Sequence, residues 1–263
     1  MDERIGILAG DGNLPKILIN KIKNPFVVGI SGFFNESNIN CDYITTTLEN
    51  FGVILKSFRD NGVEKVILAG GVGKLDINKF TPQDNETKEL ISILISKSGG
   101  EDMILRTVIE FINSNGFKVI GVEDVIGEQS IPQGILTNKQ PTDEELSDIE
   151  IGREELKQQS QADIGQAIAV SNGNVIASED ENGTDALINK VGGMSVVKSI
   201  LVKGKKENQT RLADLPVIGV STIENLSKNN FSGIAIYGEG TIIIDKESVI
   251  EKANKADLFI VVI

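Results

Sequence analysis

The chain has 263 residues, and Asp and Glu outnumber Lys and Arg 38 to 26, giving a formal charge of −12. That balance disfavours nucleic acid and general adsorption to anionic membranes, both of which are held through Lys and Arg. With no histidine and only Cys41, the chain excludes Ser-His-Asp and Cys-His pairs, histidine-ligated zinc or iron, and an intrachain disulfide.

A 40% hydrophobic content is enough for a folded core, and the length sits where single cores give way to two domains. The opening M-D-E-R-I-G lacks the basic-then-apolar build of a signal peptide, and no apolar run approaches a membrane span. The expectation is a cytoplasmic protein. The runs Arg4 to Ala9, Phe26 to Ile30, Lys65 to Ala69 and Lys118 to Val122 are short, rich in β-branched residues and bounded by Gly or polar residues, as buried strands are. Between them, Leu14 to Lys23, Leu55 to Asn61, Glu86 to Lys97 and Glu101 to Asn115 carry apolar residues at helical spacing. The alternation predicts a Rossmann-like parallel sheet covered by helices, over residues 1–130.

From Gly127 to Ser147 the chain turns polar and holds two of the six prolines, which suits a linker, placed at 131–147. A smaller mixed α/β domain is expected over 148–263. It opens with a polar helix near Asp148 to Gln161, followed by strands near Ala167 to Val170 and Asn174 to Ala177 and a helix from Thr184. It closes, over Gly233 to Ile263, with strand, strand, helix and strand.

Two glycine turns follow predicted strands. In A-G-D-G-N-L-P, Gly10 and Gly12 allow a tight turn whose N–H groups, with the next helix N-terminus, suit an anion. A plain strand-to-helix turn accounts for the spacing equally well. Pro15 stands where a dinucleotide fingerprint has its third glycine, and Ser31-Gly32 where its ribose-binding acid is expected. In A-G-G-V-G-K-L, Leu75 replaces the Ser or Thr of a phosphate loop, so ATP cradling is disfavoured. Further on, Gly183-Thr184-Asp185 opens a helical stretch and on spacing alone reads as an N-cap Thr with an Asp in the first turn. Lys203, Lys206, Gln209 and Arg211 crowd donors ahead of Asp214, where a solvated loop is the ordinary explanation.

In combination these pieces resemble the LpxI-type UDP-2,3-diacylglucosamine pyrophosphatases, lipid A enzymes of Gram-negative bacteria, over essentially the whole chain. The matching blocks are I-G-I-L-A-G-D-G-N-L-P at 5–15, G-V-E-K-V-I-L-A-G-G-V at 62–72, G-E-D-M-I-L-R at 100–106 and A-D-I-G-Q at 162–166. They continue with G-T-D-A at 183–186, K-x-x-K-x-x-Q at 203–209 and D-L-P-V-I-G at 214–219. The resemblance implies Mg²⁺-dependent hydrolysis of the pyrophosphate to UMP and 2,3-diacylglucosamine 1-phosphate, and the family's catalytic aspartate maps to Asp214. It implies Asp214 and Asp185 as metal ligands and catalytic acids, with Thr184 beside them as a hydrogen-bond donor. It implies substrate contacts from Gly10, Asp11, Gly12, Leu14, Pro15, Gly70, Gly71 and Val72 in the first half. In the second half the contacts come from Asp163, Gln166, Gly183, Lys203, Lys206 and Gln209. Two departures stand out: Asn182 occupies the place of a glutamate, and the arginine expected two places before the aspartate is one place early, at Arg211. The substrate would be an amphiphilic nucleotide-sugar lipid, met by a cytoplasmic protein in transient contact with the inner membrane surface. Phe33-Phe34 is a candidate lip for the acyl groove, and ordinary packing is the competing explanation. The alternative function is a non-catalytic nucleotide-sugar-binding or regulatory protein.

Overall fold

The computed structural model describes residues 3–73, 75–97, 100–127, 131–161, 165–180, 182–194, 198–205, 212 and 215–263, with backbone alone at 101, 160 and 161. These fall into two compact α/β units, the first running to residue 127 and taking in Leu212, the second holding the remainder.

The first unit runs β1 (Arg4–Ala9), α1 (Leu14–Lys21), β2 (Phe26–Ile30), β3 (Asp42–Thr46), α2 (Phe51–Asp60) and β4 (Val63–Ala69). It continues with α3 (Asn85–Ser96), α4 (Glu101–Ser114), β5 (Lys118–Val119) and α5 (Glu123–Ile126). Five parallel strands pair in the order β3-β2-β1-β4-β5, as the alternating pattern predicts. The β-branched runs of β1, β2 and β4 lie between helix layers, and Phe51, Ile54, Leu55 and Phe58 of α2 pack with Phe26, Val28 and Val66 into one core. The strand order reverses beside β1, so the carboxyl ends of β1 and β4 border the switch point, where open α/β sheets take ligands.

The second unit contains β6 (Gly134–Ile135), α6 (Asp143–Gln161), β7 (Ala167–Ser171), β8 (Asn174–Ser178), α7 (Gly183–Gly192) and β9 (Ser199–Lys203). After these come β10 (Val217–Ile218), α8 (Val220–Lys228), β11 (Phe231–Ile236), β12 (Ile242–Ile243), α9 (Lys246–Lys255) and β13 (Phe259–Val262). Its main sheet runs β6-β13-β11-β9-β7-β8, with β13, β11 and β9 parallel and β6, β7 and β8 in antiparallel pairs. The segment read as a linker holds β6 and the start of α6. The strand β9, S-I-L-V-K, is buried throughout, and it ends on Lys203 at the carboxyl rim of the parallel strands.

Candidate active site

In the first unit the turns after β1 and β4 are tied to each other. Gly10 N–H donates to Ala69 O at 2.8 Å, Asp11 N–H to Gly71 O at 2.7 Å, and Gly71 N–H to Asp11 O at 3.1 Å. This backbone bridge gives the glycines a role beyond ligand approach. A Cβ on Gly10 would collide with the Gly71 carbonyl, and one on Gly70, whose φ is +87°, with the Asp11 carbonyl. Gly71 is different, since a Cβ there meets nothing within 4 Å. Gly12, at φ +96°, is likewise open, and its N–H donates to Asp11 Oδ1 at 2.7 Å. Asn13 offers α1 no side-chain cap and Pro15 sits in the first turn, so the helix N-terminus keeps backbone donors without a capping side chain. Pro15 itself is buried, Leu14 and Val72 are half-buried, and Val72 packs against the first core.

The residues Phe33 and Phe34 divide. Phe34 is buried, with its ring against Gly29 and tilted on Tyr43, whereas Phe33 is 37% exposed beside Gly73.

In the second unit the ends of β8 and β9 and the starts of β7 and α7 converge. Lys203, only 8% exposed, donates from Nζ to Thr184 Oγ1 at 2.6 Å. The Thr184 hydroxyl in turn donates to Glu179 Oε1 at 2.6 Å, and Glu179 Oε2 accepts the Gln166 N–H at 2.6 Å. Backbone bonds fix the frame: Glu179 N–H to Ala167 O at 2.8 Å, Gly204 N–H to Gln166 O at 3.0 Å, and Tyr237 N–H to Lys203 O at 3.2 Å. Two glycines admit this closeness. A Cβ on Gly165, at φ +49°, would lie 2.5 Å from Glu179 O, and one on Gly204 would fall into the Tyr237 ring.

Thr184 is not the N-cap that spacing alone suggests. The helix α7 begins at Gly183 with Asn182 at the cap position, so Thr184 sits in the first turn with its hydroxyl turned to the cluster. Gly183, at φ +82°, supplies the left-handed step before it. Asp180 Oδ1 accepts both the Asn182 N–H at 2.9 Å and Nδ2 at 3.0 Å, and the backbone bond above all holds this carboxyl below its ordinary pKa. Asp185 goes elsewhere, its Oδ1 accepting from Asn225 Nδ2 on α8 at 3.0 Å. The structure thus brings Thr184, Lys203 and Gln166 together and directs Asp185 to α8. Asp163, Lys206, Gln209, Arg211 and Asp214 lie outside the described residues.

Glu179 is the site residue that the sequence reading did not single out. A glutamate is expected just ahead of Gly-Thr-Asp, where Asn182 stands, and the acid that reaches Thr184 lies three places earlier in the run S-E-D-E-N. Among the described residues no three acids or cysteines gather closely enough to hold a metal ion. Asp185 nevertheless offers a hard oxygen donor with one carboxylate oxygen beyond the Asn225 contact. Mg²⁺ needs only one or two carboxylates when substrate phosphates and waters complete its shell, so the donor chemistry fits.

Two α/β units, one whose glycine turns meet at the carboxyl rim of its parallel strands and one with a Lys203–Thr184–Glu179 cluster at the rim of its own, place the chain among two-unit α/β proteins. The chain belongs to the LpxI family: residues 4–129 match the LpxI N-terminal domain and residues 132–261 the LpxI C-terminal domain. It is also similar to the UDP-2,3-diacylglucosamine pyrophosphatase LpxI of Caulobacter vibrioides, with 29% identity over 269 residues covering 98% of this chain and 96% of that protein. No helix among the described residues is long and apolar enough to cross a membrane.

Proposed function

We propose that this protein hydrolyses the pyrophosphate of UDP-2,3-diacylglucosamine, releasing UMP and 2,3-diacylglucosamine 1-phosphate, with Mg²⁺ as cofactor. The observation that carries this reading is the similarity along nearly the whole chain to a relative bearing that activity in its name. The convergence of Thr184, which the family resemblance assigns to catalysis, with Lys203 and Gln166, which it assigns to substrate, supports it from the geometry.

Hydrolysing a pyrophosphate asks for positioning, charge neutralisation and an oriented water, with little covalent chemistry from side chains. Lys203 places a cation at the strand rim, where it would steady phosphate oxygens. The Gly12 and Gly71 backbone at the first sheet's rim is open to a nucleotide. Asp185 and Asp214 would hold Mg²⁺, which supplies neutralisation of the diphosphate charge when bound. Asp214 would also orient the attacking water, and an amphiphilic substrate of this kind brings the protein to the cytoplasmic membrane surface.

The test is incubation of the purified protein with UDP-2,3-diacylglucosamine and Mg²⁺, followed by phosphorus NMR. Two phosphomonoester signals should replace the diphosphate pair, EDTA should stop the change, and Asp214→Ala should lower kcat by about 10²–10⁴. Binding without turnover would favour a nucleotide-sugar-binding protein, and turnover undiminished in EDTA would remove Mg²⁺ from the mechanism.

A further inference from the structure

Hydrogen-bond direction in the Lys203–Thr184–Glu179 chain is forced by chemistry. The Lys203 ammonium has only protons to give, so Thr184 Oγ1 accepts from it at 2.6 Å. An ionised Glu179 only accepts, so the Thr184 hydroxyl donates to it at 2.6 Å. A hydroxyl has one proton and two lone pairs. The proton and one lone pair are committed, and a lone pair is what remains.

We infer that Glu179 is a positioning residue for the hydrolysis: it takes up the single Thr184 proton, so that Thr184 meets substrate or water as an acceptor and not as the donor the family resemblance suggests. The inference deepens the pyrophosphatase reading and rests on it. Glu179 is well placed for this. Its second oxygen is held by the Gln166 N–H, its own N–H is bonded to Ala167 O, and Gly165 lies against its backbone. Carboxylate and ammonium then share one hydroxyl, and both bonds are of the charge-assisted kind, roughly twice as strong as neutral ones.

A double-mutant cycle tests it. In Glu179→Gln the amide must set an NH₂ group against either the Gln166 N–H or the Thr184 hydroxyl. The backbone donor cannot turn, so the hydroxyl must. In Thr184→Val the hydroxyl is gone while the shape is kept. Each change should lower kcat by about 10- to 100-fold, the range for partners that orient a site residue, and leave KM within roughly threefold. The double variant should be no slower than Thr184→Val alone, because a residue acting through that hydroxyl has nothing left to act on. Thr184→Ser should stay near wild type. All rates are taken per folded fraction, with the melting temperature measured on the same preparations.

Losses that multiply in the double variant, or a Glu179→Gln protein with wild-type kcat, overturn the inference while leaving the pyrophosphatase reading intact. A wild-type protein that does not turn the substrate over overturns that reading, and the positioning role falls with it.

Discussion

At the rim of the first sheet the turns after β1 and β4 meet backbone to backbone, Asp11 N–H on Gly71 O and Gly71 N–H on Asp11 O, with glycines where any side chain would intrude. At the rim of the second, three side chains and one backbone N–H make the contact, from Lys203 through Thr184 and Glu179 to Gln166. A backbone bridge tolerates no added atom at Gly10 or Gly70, yet asks nothing of side-chain chemistry. A side-chain chain asks for particular functional groups and forgives modest changes in volume. Substitution should therefore cost the first rim its fold and the second its chemistry.

The largest effect on stability should come from Gly10→Val. The obstacle is the Gly71 carbonyl, which cannot swing aside as a side chain can, so a loss of about 3 kcal/mol is expected. That corresponds to a fall of roughly 10 °C in melting temperature. A Gly10→Val protein that melts like wild type would show that the two turns are not locked together.

Gly204→Ala should cost less, about 1–3 kcal/mol, because what stands in the way is the Tyr237 ring. That ring is tethered by its hydroxyl to Arg153 O at 3.3 Å, and Tyr237 N–H bonds Lys203 O, so displacement should pull on Lys203 as well. Here turnover per folded molecule should fall along with stability, and normal turnover would mean that Lys203 is anchored independently of Tyr237.

Gly71→Ala sharpens the contrast within the first rim. A Cβ there meets nothing, so stability should move by less than about 0.5 kcal/mol. If the nucleotide approaches this backbone, KM should rise by roughly threefold to tenfold with kcat unchanged. An unchanged KM would place the nucleotide away from this turn.

The contrast also explains what the sequence disclosed. The parallel sheet of the first unit is legible because β1, β2 and β4 carry short, largely buried apolar stretches, Ile5 to Ala9, Phe26 to Ile30 and Val66 to Ala69. At the edge of that sheet β3, D-Y-I-T-T, lies largely exposed and lacks the apolar run. The glycine turns are legible too, although the mutual contact that demands glycine depends on two turns some 60 residues apart in sequence. In the second unit, Thr184 and Lys203 stand out through the family resemblance as separate residues. No spacing rule links them to Glu179, because the link is made where β8 and β9 end and α7 begins. Local propensity also misplaces the start of α7: Thr is a good cap, but this Thr hydroxyl has tertiary partners, and Asn182 takes the cap position.

The smallest effect concerns Asp180, which shapes the approach to α7 without touching the cluster. Its carboxyl is held below the ordinary range chiefly by the Asn182 backbone N–H, and secondarily by the Asn182 side chain. A carboxyl with a depressed folded-state pKa contributes stability that is fully present above its unfolded value, near pH 3.9. That contribution is lost as the pH falls through the lower folded value. Wild type should therefore melt slightly higher than Asp180→Ala at pH 7, and the gap should close as the solution is taken below about pH 4. Because the group is fully exposed, the gap at pH 7 should be small, and kcat and KM at neutral pH should stay at wild-type values. A gap that persists in acid would mean that Asp180 acts through packing and not through its charge. A fall in kcat at neutral pH would mean that the Asn182 turn sets the position of Thr184, and the second rim would then share the first rim's dependence on backbone.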